Sequence, residues 1–259
     1  MGERIDLTIE DRIAVATLNR PDKGNPFDWT SIAELNAILE RVEKDDAIGG
    51  LILTAGGEKY FSVGADISLM QDIQGKEYAE FLFAGMRMCE TIQRLRKPTL
   101  AAVNGWAVGA GGEVAMACDL RIASENARLG VPELKIGLIP GWGGVFRLTR
   151  LVGPAKAMEL VLTATNLPAA EAERIGLVNR VVPPGELMTA AKGLMGRVLA
   201  NAPVAIAFAK SIILSEREVP VGFGETYEAL SSILTFLSHD GKEGMRAFFE
   251  KRKPEWKGE

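Results

Sequence analysis

The first two thirds of the chain alternate between short apolar runs and longer segments whose apolar residues recur with helical spacing. The helical spacing is clearest in residues 29–44, where Ile32, Leu35, Ile38 and Val42 fall on one face. The apolar runs are short and bounded by glycine, proline or polar residues, which is typical of buried strands. The pattern predicts strands over 12–18, 50–54, 99–103 and 120–123, and helices over 29–44, 78–95 and 111–117. Strands that alternate with helices indicate an α/β fold in which helices cover the sheet.

From Pro203 onward the pattern changes, and it predicts successive helices over 204–215, 225–237 and 242–251. We therefore expect an α/β core in residues 1–200 and a helical region in residues 201–259. The helical region is rich in aromatic and aliphatic residues, so it has much apolar surface to bury. Either another subunit or the chain's own core would cover that surface.

The composition is that of a soluble globular protein, with 259 residues of which 47% are hydrophobic and 25% charged. A formal net charge of −4 gives no support to a nucleic-acid-binding role. Cys89 and Cys118 are too few for a disulfide framework, and the single histidine, His239, does not allow a multi-histidine metal site. The N-terminus lacks a signal sequence and no run is long enough to cross a membrane, so we expect a cytoplasmic protein.

One glycine-rich stretch, residues 102–113, connects a predicted strand to a predicted helix and ends in Glu113. Free backbone amides at a helix N-terminus are suited to binding an oxyanion, and small residues let a ligand approach them. Glu113 would lie beside those amides, although an acidic residue there also simply complements the helix dipole. A dinucleotide site is excluded because the stretch does not fit the G-x-G-x-x-G pattern.

Two further segments add to this picture. Residues 61–67 form a second loop of small residues after a buried strand, and could donate another amide. Glu133 follows a proline in an apolar segment, where burial would raise the pKa of its carboxyl group and suit it to proton transfer. The alternatives are an ordinary connecting loop and an ion pair between Glu133 and Lys135.

Taken together, the two glutamates and the two loops resemble the enoyl-CoA hydratase (crotonase) family, and the resemblance extends from Asn19 to Pro254. The resemblance implies that Glu113 and Glu133 are the catalytic acid–base pair. It also implies that Ala65 and Ala110 supply the backbone amides of an oxyanion hole. Neither a metal nor a separate cofactor is implied, because coenzyme A is part of the substrate.

The resemblance also implies a fold and an assembly. The fold is a crotonase-like spiral of ββα turns with a C-terminal helical trimerisation region, and the assembly is a homotrimer or homohexamer. An acyl-CoA substrate would be bound by residues of the oxyanion loop, of the later glycine-rich turn and of the C-terminal helix, namely Asp66, Ile67, Ser68, Gly141, Trp142, Phe248 and Lys251. The last two match positions at which a neighbouring subunit helps to hold coenzyme A.

The implied activity is addition of water across the 2,3 double bond of a 2-enoyl-CoA, or the reverse dehydration. An enoyl-CoA isomerase or another crotonase-type acyl-CoA enzyme is one alternative, but an isomerase needs a single shuttling base and this sequence retains both glutamates. A non-catalytic or RNA-binding protein on the same scaffold is another, for which the basic stretch 242–257 is the candidate surface. Trp142 stands where many hydratases have a small residue, so its ring either borders the acyl pocket or fills core space.

Overall fold

The computed structural model describes residues 2–69, 73–216 and 218–259 of the chain. The strands are β1 (Ile5–Glu10), β2 (Ile13–Leu18), β3 (Gly50–Ala55), β4 (Tyr60–Ser62), β5 (Thr99–Val103), β6 (Trp106–Val108), β7 (Leu120–Ser124), β8 (Arg128–Gly130), β9 (Leu167–Pro168) and β10 (Arg180–Val182). The helices are α1 (Trp29–Lys44), α2 (Gly75–Arg94), α3 (Ala110–Ala117), α4 (Gly144–Val152), α5 (Pro154–Leu162), α6 (Ala169–Arg174), α7 (Leu187–Leu199), α8 (Pro203–Ser215), α9 (Val221–Leu237) and α10 (His239–Glu250). Short 3-10 helices cover Pro21–Lys23, Ile67–Leu69, Glu133–Ile136 and Pro184–Glu186.

The larger sheet has the strand order β1-β2-β3-β5-β7-β10. β1 pairs with β2 in the antiparallel sense, and the remaining neighbours are parallel. Every residue of β3 and β5 is buried, as expected for central strands of a parallel sheet with both faces covered. Helix α1 begins at a capping box formed by Asp28 and Ser31, and it buries the apolar face that the sequence predicts.

The smaller sheet has the strand order β4-β6-β8-β9, and the segments that form the candidate site follow its strands. β4 is parallel to β6, and β6 is parallel to β8. Carboxyl ends of parallel strands lie at the same edge of a sheet, so the segments that follow Ser62, Val108 and Gly130 begin at one edge.

The described chain divides into two compact units. One comprises residues 1–95 and 99–193, and the other comprises residues 96–98 and 194–259. The boundary falls within α7, whereas the sequence suggests a division after residue 200, and that division stays a prediction. Within the second unit α9 packs against both α8 and α10.

The strands and helices predicted from hydrophobic spacing are confirmed, with boundaries within three residues except for the start of α9. The elements that the sequence analysis did not predict are shorter or lie in segments with less regular patterns, such as β4, β6, β8 and α4 to α7. Cys89 and Cys118 are buried thiols that are not joined in a disulfide bond. No single helix in the described ranges has the length and apolar composition to cross a membrane, and only the bent pair 184–199 and 203–215 passes that test together.

Candidate active site

Three segments that follow parallel strands of the smaller sheet meet at its edge. Gly64, after β4, has a φ of 104°, a left-handed conformation that favours glycine. A methyl group on Gly64 would lie 3.0 Å from the carbonyl oxygen of Val108 and 3.2 Å from the amide nitrogen of Ala110. The amide of Gly109, after β6, donates a hydrogen bond of 3.0 Å to the carbonyl of Gly130, at the end of β8. The predicted oxyanion loops are therefore in contact with each other and with the segment that leads to Glu133.

A cavity of about 320 Å³ opens among these segments. Ala65, Ala110, Glu113 and Glu133 all line it, so the structure brings together both predicted glutamates and both predicted oxyanion residues. Much of the remaining wall is apolar and comes from α2 and from the segment after Glu133, with Leu82, Ile136, Leu138 and Ile139 among its residues. An apolar cavity with a few convergent polar groups is the usual form of a small-molecule site.

The two alanines of the predicted oxyanion hole lie in different secondary structures, Ala110 in a helix and Ala65 in an isolated β-bridge. Ala110 is the first residue of α3, so its amide belongs to the first helical turn and has no acceptor within the helix. Its backbone is helical, so its methyl group causes no strain there. Ala65 forms an isolated parallel bridge with Phe27, and the Asp66 amide donates to the Phe27 carbonyl at 2.8 Å. Their part in an oxyanion hole stays a prediction.

Glu113 is held by a turn that lies 29 to 31 residues further along the chain. Its Oε1 atom accepts hydrogen bonds from the backbone amides of Trp142, at 2.8 Å, and Gly144, at 2.7 Å. Gly144 is the first residue of α4, so this helix directs its N-terminus at the carboxyl group. Burial raises the pKa of Glu113, whereas the two amides and the charge of Arg147 oppose that rise. These contacts favour the ionised form of a carboxyl group that is only 2% exposed.

Glu133 has a different environment. Its Oε2 atom is buried and has no hydrogen-bond partner among the described residues, so this oxygen makes no ion pair with Lys135. Its Oε1 atom lies next to Gly109, where an added methyl group would approach it to 3.1 Å. Burial, and secondarily the charge of Glu113, raise the pKa of Glu133 to about 7. A carboxyl group of this kind can hold a proton at neutral pH and release it in a reaction.

The ring of Trp142 occupies the core, although the residue contributes to the cavity wall. Only 1% of Trp142 is exposed. The ring lies 5.7 Å from those of both Phe27 and Phe81, in edge and tilted arrangements. It also fills the space beside Gly85 on α2, where a Cβ atom would overlap its six-membered ring. These contacts favour the packing interpretation of Trp142 over the pocket interpretation.

The other predicted substrate-binding residues of the first unit lie in two places. Ile67 and Gly141 line the cavity. Asp66 lines a smaller neighbouring cavity of about 80 Å³ together with Trp29 and Phe81. The Ser68 hydroxyl donates a hydrogen bond to Asp66, which stabilises the loop after Ala65. A substrate contact by Asp66 or Ser68 stays a prediction.

Phe248 and Lys251 belong to the second unit, at the C-terminal end of α10. Phe248 is exposed, and Lys251 ends the helix in the left-handed conformation with a φ of 54°. Their contact with coenzyme A stays a prediction. In the same basic stretch, Arg252 forms ion pairs with Glu243 and Glu250, which lowers the net charge that this surface could offer to a nucleic acid.

The sequence analysis did not identify Tyr78 and Asn166, which also line the cavity, or the amides that bind Glu113. Tyr78 and Leu82 are four residues apart on α2, so they share a face of the helix that the sequence predicts. The turn 141–144 carries a usable signal, because its glycines precede a helix N-terminus as they do before Glu113. Asn166 lies in a loop with no distinguishing pattern.

Comparisons with known proteins agree with this geometry. The family model for enoyl-CoA hydratase/isomerase matches residues 8–259. A short-chain-enoyl-CoA hydratase of Clostridium acetobutylicum is 43% identical over 95% of this chain and 94% of its own. A crotonyl-CoA hydratase of Syntrophomonas wolfei is 42% identical over 97% and 96% of the two chains.

Among solved structures, an enoyl-CoA hydratase from Bacillus anthracis superposes with a TM-score of 0.96 at 34% identity, covering 99% of this chain and 100% of that one. An enoyl-CoA hydratase structure from Geobacillus kaustophilus gives a TM-score of 0.95 at 33% identity, with 100% and 98% coverage. The predicted crotonase-like fold with C-terminal helices is thereby confirmed. The chain belongs to the enoyl-CoA hydratase/isomerase family.

Proposed function

We propose that this protein is an enoyl-CoA hydratase, a hydro-lyase that adds water across the 2,3 double bond of a 2-enoyl-CoA or catalyses the reverse dehydration. The observation that carries the proposal is the contrast between two carboxyl groups on one cavity. Glu113 accepts two backbone hydrogen bonds, whereas a buried oxygen of Glu133 has no partner within the described residues. One group is suited to being ionised and the other to holding a proton.

This contrast supports a division of roles. The ionised Glu113 would orient the water and take a proton from it, and the protonated Glu133 would deliver a proton to Cα of the substrate. Because the charge of Glu113 raises the pKa of Glu133, the two groups titrate as a coupled pair. Ionisation of Glu113 therefore favours protonation of Glu133.

The amides of Ala65 and Ala110 would bind the thioester oxygen of the substrate. As the oxygen atom of water forms a bond to Cβ, negative charge builds on this oxygen in an enolate-like transition state. Loss of one such hydrogen-bond donor typically costs about 3–4 kcal/mol of transition-state stabilisation. The proton from Glu133 then completes the new C–H bond at Cα, and proton exchange with solvent restores both carboxyl groups. The proposed reaction uses no cofactor, because coenzyme A is part of the substrate.

A short acyl chain is the substrate class that we propose, and the names of two relatives support it. The curated relatives described above have the names short-chain-enoyl-CoA hydratase and crotonyl-CoA hydratase. Binding of coenzyme A by Phe248 and Lys251 of a neighbouring subunit, in a trimer or hexamer, completes the proposal.

An activity assay on the purified protein tests this function. Hydration removes the absorbance of the conjugated enoyl thioester, so it can be followed on 2-enoyl-CoA substrates of increasing chain length. We expect rapid loss of absorbance with the shortest 2-enoyl substrates. A protein that only converts 3-enoyl-CoA into 2-enoyl-CoA, with a gain of the same absorbance, would be an isomerase.

A further inference from the structure

Arg147, on α4, lies behind the turn that holds Glu113. Its Nη1 atom donates a hydrogen bond of 2.6 Å to the carbonyl oxygen of Trp142. Its Nε atom donates a hydrogen bond of 2.9 Å to Oε1 of Gln93, on α2. The guanidinium group therefore links α4 and α2 to Trp142, the residue whose backbone amide binds Glu113. Arg147 is half-buried and is not among the described residues that line the cavity, so it is not positioned to touch the substrate.

The positive charge of Arg147 also acts on Glu113. The titratable groups near Glu113 come from α4, from α2 and from the 3-10 helix that begins at Glu133. Arg147 on α4 lowers the pKa of Glu113, and Glu133 faces Glu113 across the cavity as a coupled carboxyl group. From α2, Cys89 adds no charge, because burial raises the pKa of its thiol far above its ordinary range. Arg147 is thus the cation that opposes the effect of burial on Glu113.

We propose that Arg147, oriented by Gln93, is a positioning residue for hydration: it fixes the Trp142 carbonyl so that the amides of Trp142 and Gly144 point at Glu113. The positive charge that it brings favours the carboxylate form that activates water. This inference rests on the hydratase function proposed above. A bidentate guanidinium group suits the task, because it bonds two acceptors at fixed angles, whereas a lysine offers a single point charge.

The test compares pH profiles of kcat/KM for Arg147→Met, Arg147→Lys and Gln93→Leu. Arg150→Met is the matched control, since it removes one positive charge from the same helix at a residue that stacks on Phe146. For Arg147→Met we expect kcat to fall about tenfold or more with little change in KM, because a hydrogen bond from a charged group is lost. The acid limb of the profile should move to higher pH by about one unit, because a cation near a carboxylate lowers its pKa by that order.

The conservative variants separate charge from geometry. Arg147→Lys should keep the acid limb of the wild type, because the charge remains, but should lose part of kcat. Gln93→Leu should lower kcat by about threefold, because Arg147 keeps its charge and its hydrogen bond to the Trp142 carbonyl and loses only the single bond that orients it. If Arg147→Met does not fold, the kinetics of Gln93→Leu test the proposal instead. A lower kcat in that variant supports the proposal, and a kcat equal to that of the wild type overturns it.

An acid limb of Arg147→Met that coincides with those of the wild type and Arg150→Met would overturn the proposal, as would a loss confined to KM. Infrared titration of the Glu113 carboxyl, identified by its absence in Glu113→Gln, gives a readout that does not depend on turnover. Its midpoint should rise in Arg147→Met, and an unchanged midpoint counts against the proposal. A wild-type protein without hydratase activity would refute the proposed function instead, and the infrared result would still decide the role of Arg147.

Discussion

Replacing Trp142 and Gly85 in turn tests how the core next to Glu113 is built. Trp142 is 1% exposed and packs against Phe27 and Phe81, so Trp142→Ala should cost about 3–5 kcal/mol of unfolding free energy. Gly85 lies in the interior of α2, and a Cβ atom there would overlap the indole ring. Gly85→Ala alone should therefore destabilise the protein. The steric overlap should cost about 1–3 kcal/mol or more of unfolding free energy, whereas the higher helix propensity of alanine contributes only about 1 kcal/mol.

The informative result is the change of sign between the two backgrounds. Without the indole ring the overlap is gone, so Gly85→Ala should stabilise Trp142→Ala by about 1 kcal/mol through helix propensity. Denaturant unfolding of the four proteins measures this cycle. If Gly85→Ala destabilises both backgrounds equally, to within about 0.5 kcal/mol, the proposed contact between the ring and Gly85 is refuted.

A substrate panel on the same Trp142→Ala protein addresses specificity. If the ring is only a core group, ratios of kcat/KM between acyl-CoA substrates of different length should stay within a few-fold of the wild-type ratios. A methylene's worth of contact in a pocket is about 1–3 kcal/mol, so a wall residue would change these ratios by roughly tenfold or more. A change of that size would restore the pocket interpretation of Trp142.

Three further predictions follow from the site and from the helical region. Glu113→Gln and Glu133→Gln should each lower kcat by about 10²- to 10⁴-fold without unfolding, and near-normal turnover by either variant would remove that residue from the mechanism. In the wild type, kcat/KM should fall as pH rises above about 7, since Glu133 must be protonated and its pKa is raised to about 7; a flat profile to pH 9 would contradict this. The apolar residues exposed on α9, such as Phe223 and Phe236, predict a trimer or hexamer, and sedimentation of a stable monomer at micromolar concentration would refute it.

Local patterns in the sequence are sufficient for the main strands and helices. Helix α1 has the predicted bounds, because its apolar face and its Asp28 cap are both local features. β5 is equally predictable, since four consecutive apolar residues after Thr99, bounded by Pro98 and Asn104, are typical of a buried parallel strand. β6 and β8 were missed because strands of three residues are too short to show a period.

The environment of the catalytic candidates is a tertiary property. The resemblance to a known family identifies Glu113 and Glu133, but spacing along the chain cannot show that the amides of Trp142 and Gly144 bind the first. Nor can it show that Oε2 of the second has no hydrogen-bond partner among the described residues. The Trp142 ring illustrates the same limit. Its two interpretations differ only in where the ring lies. The ring packs against Gly85, which lies 57 positions earlier in the sequence, so no local pattern could show this contact.

Isotope incorporation tests the central claim most directly. The purified protein would be given a short 2-enoyl-CoA in oxygen-18-labelled water, and the product would be analysed by mass spectrometry. We expect a 3-hydroxyacyl-CoA with one labelled oxygen atom at Cβ, and a severe loss of its formation in Glu113→Gln. A product that carries a shifted double bond and no labelled oxygen would contradict the proposed hydratase activity.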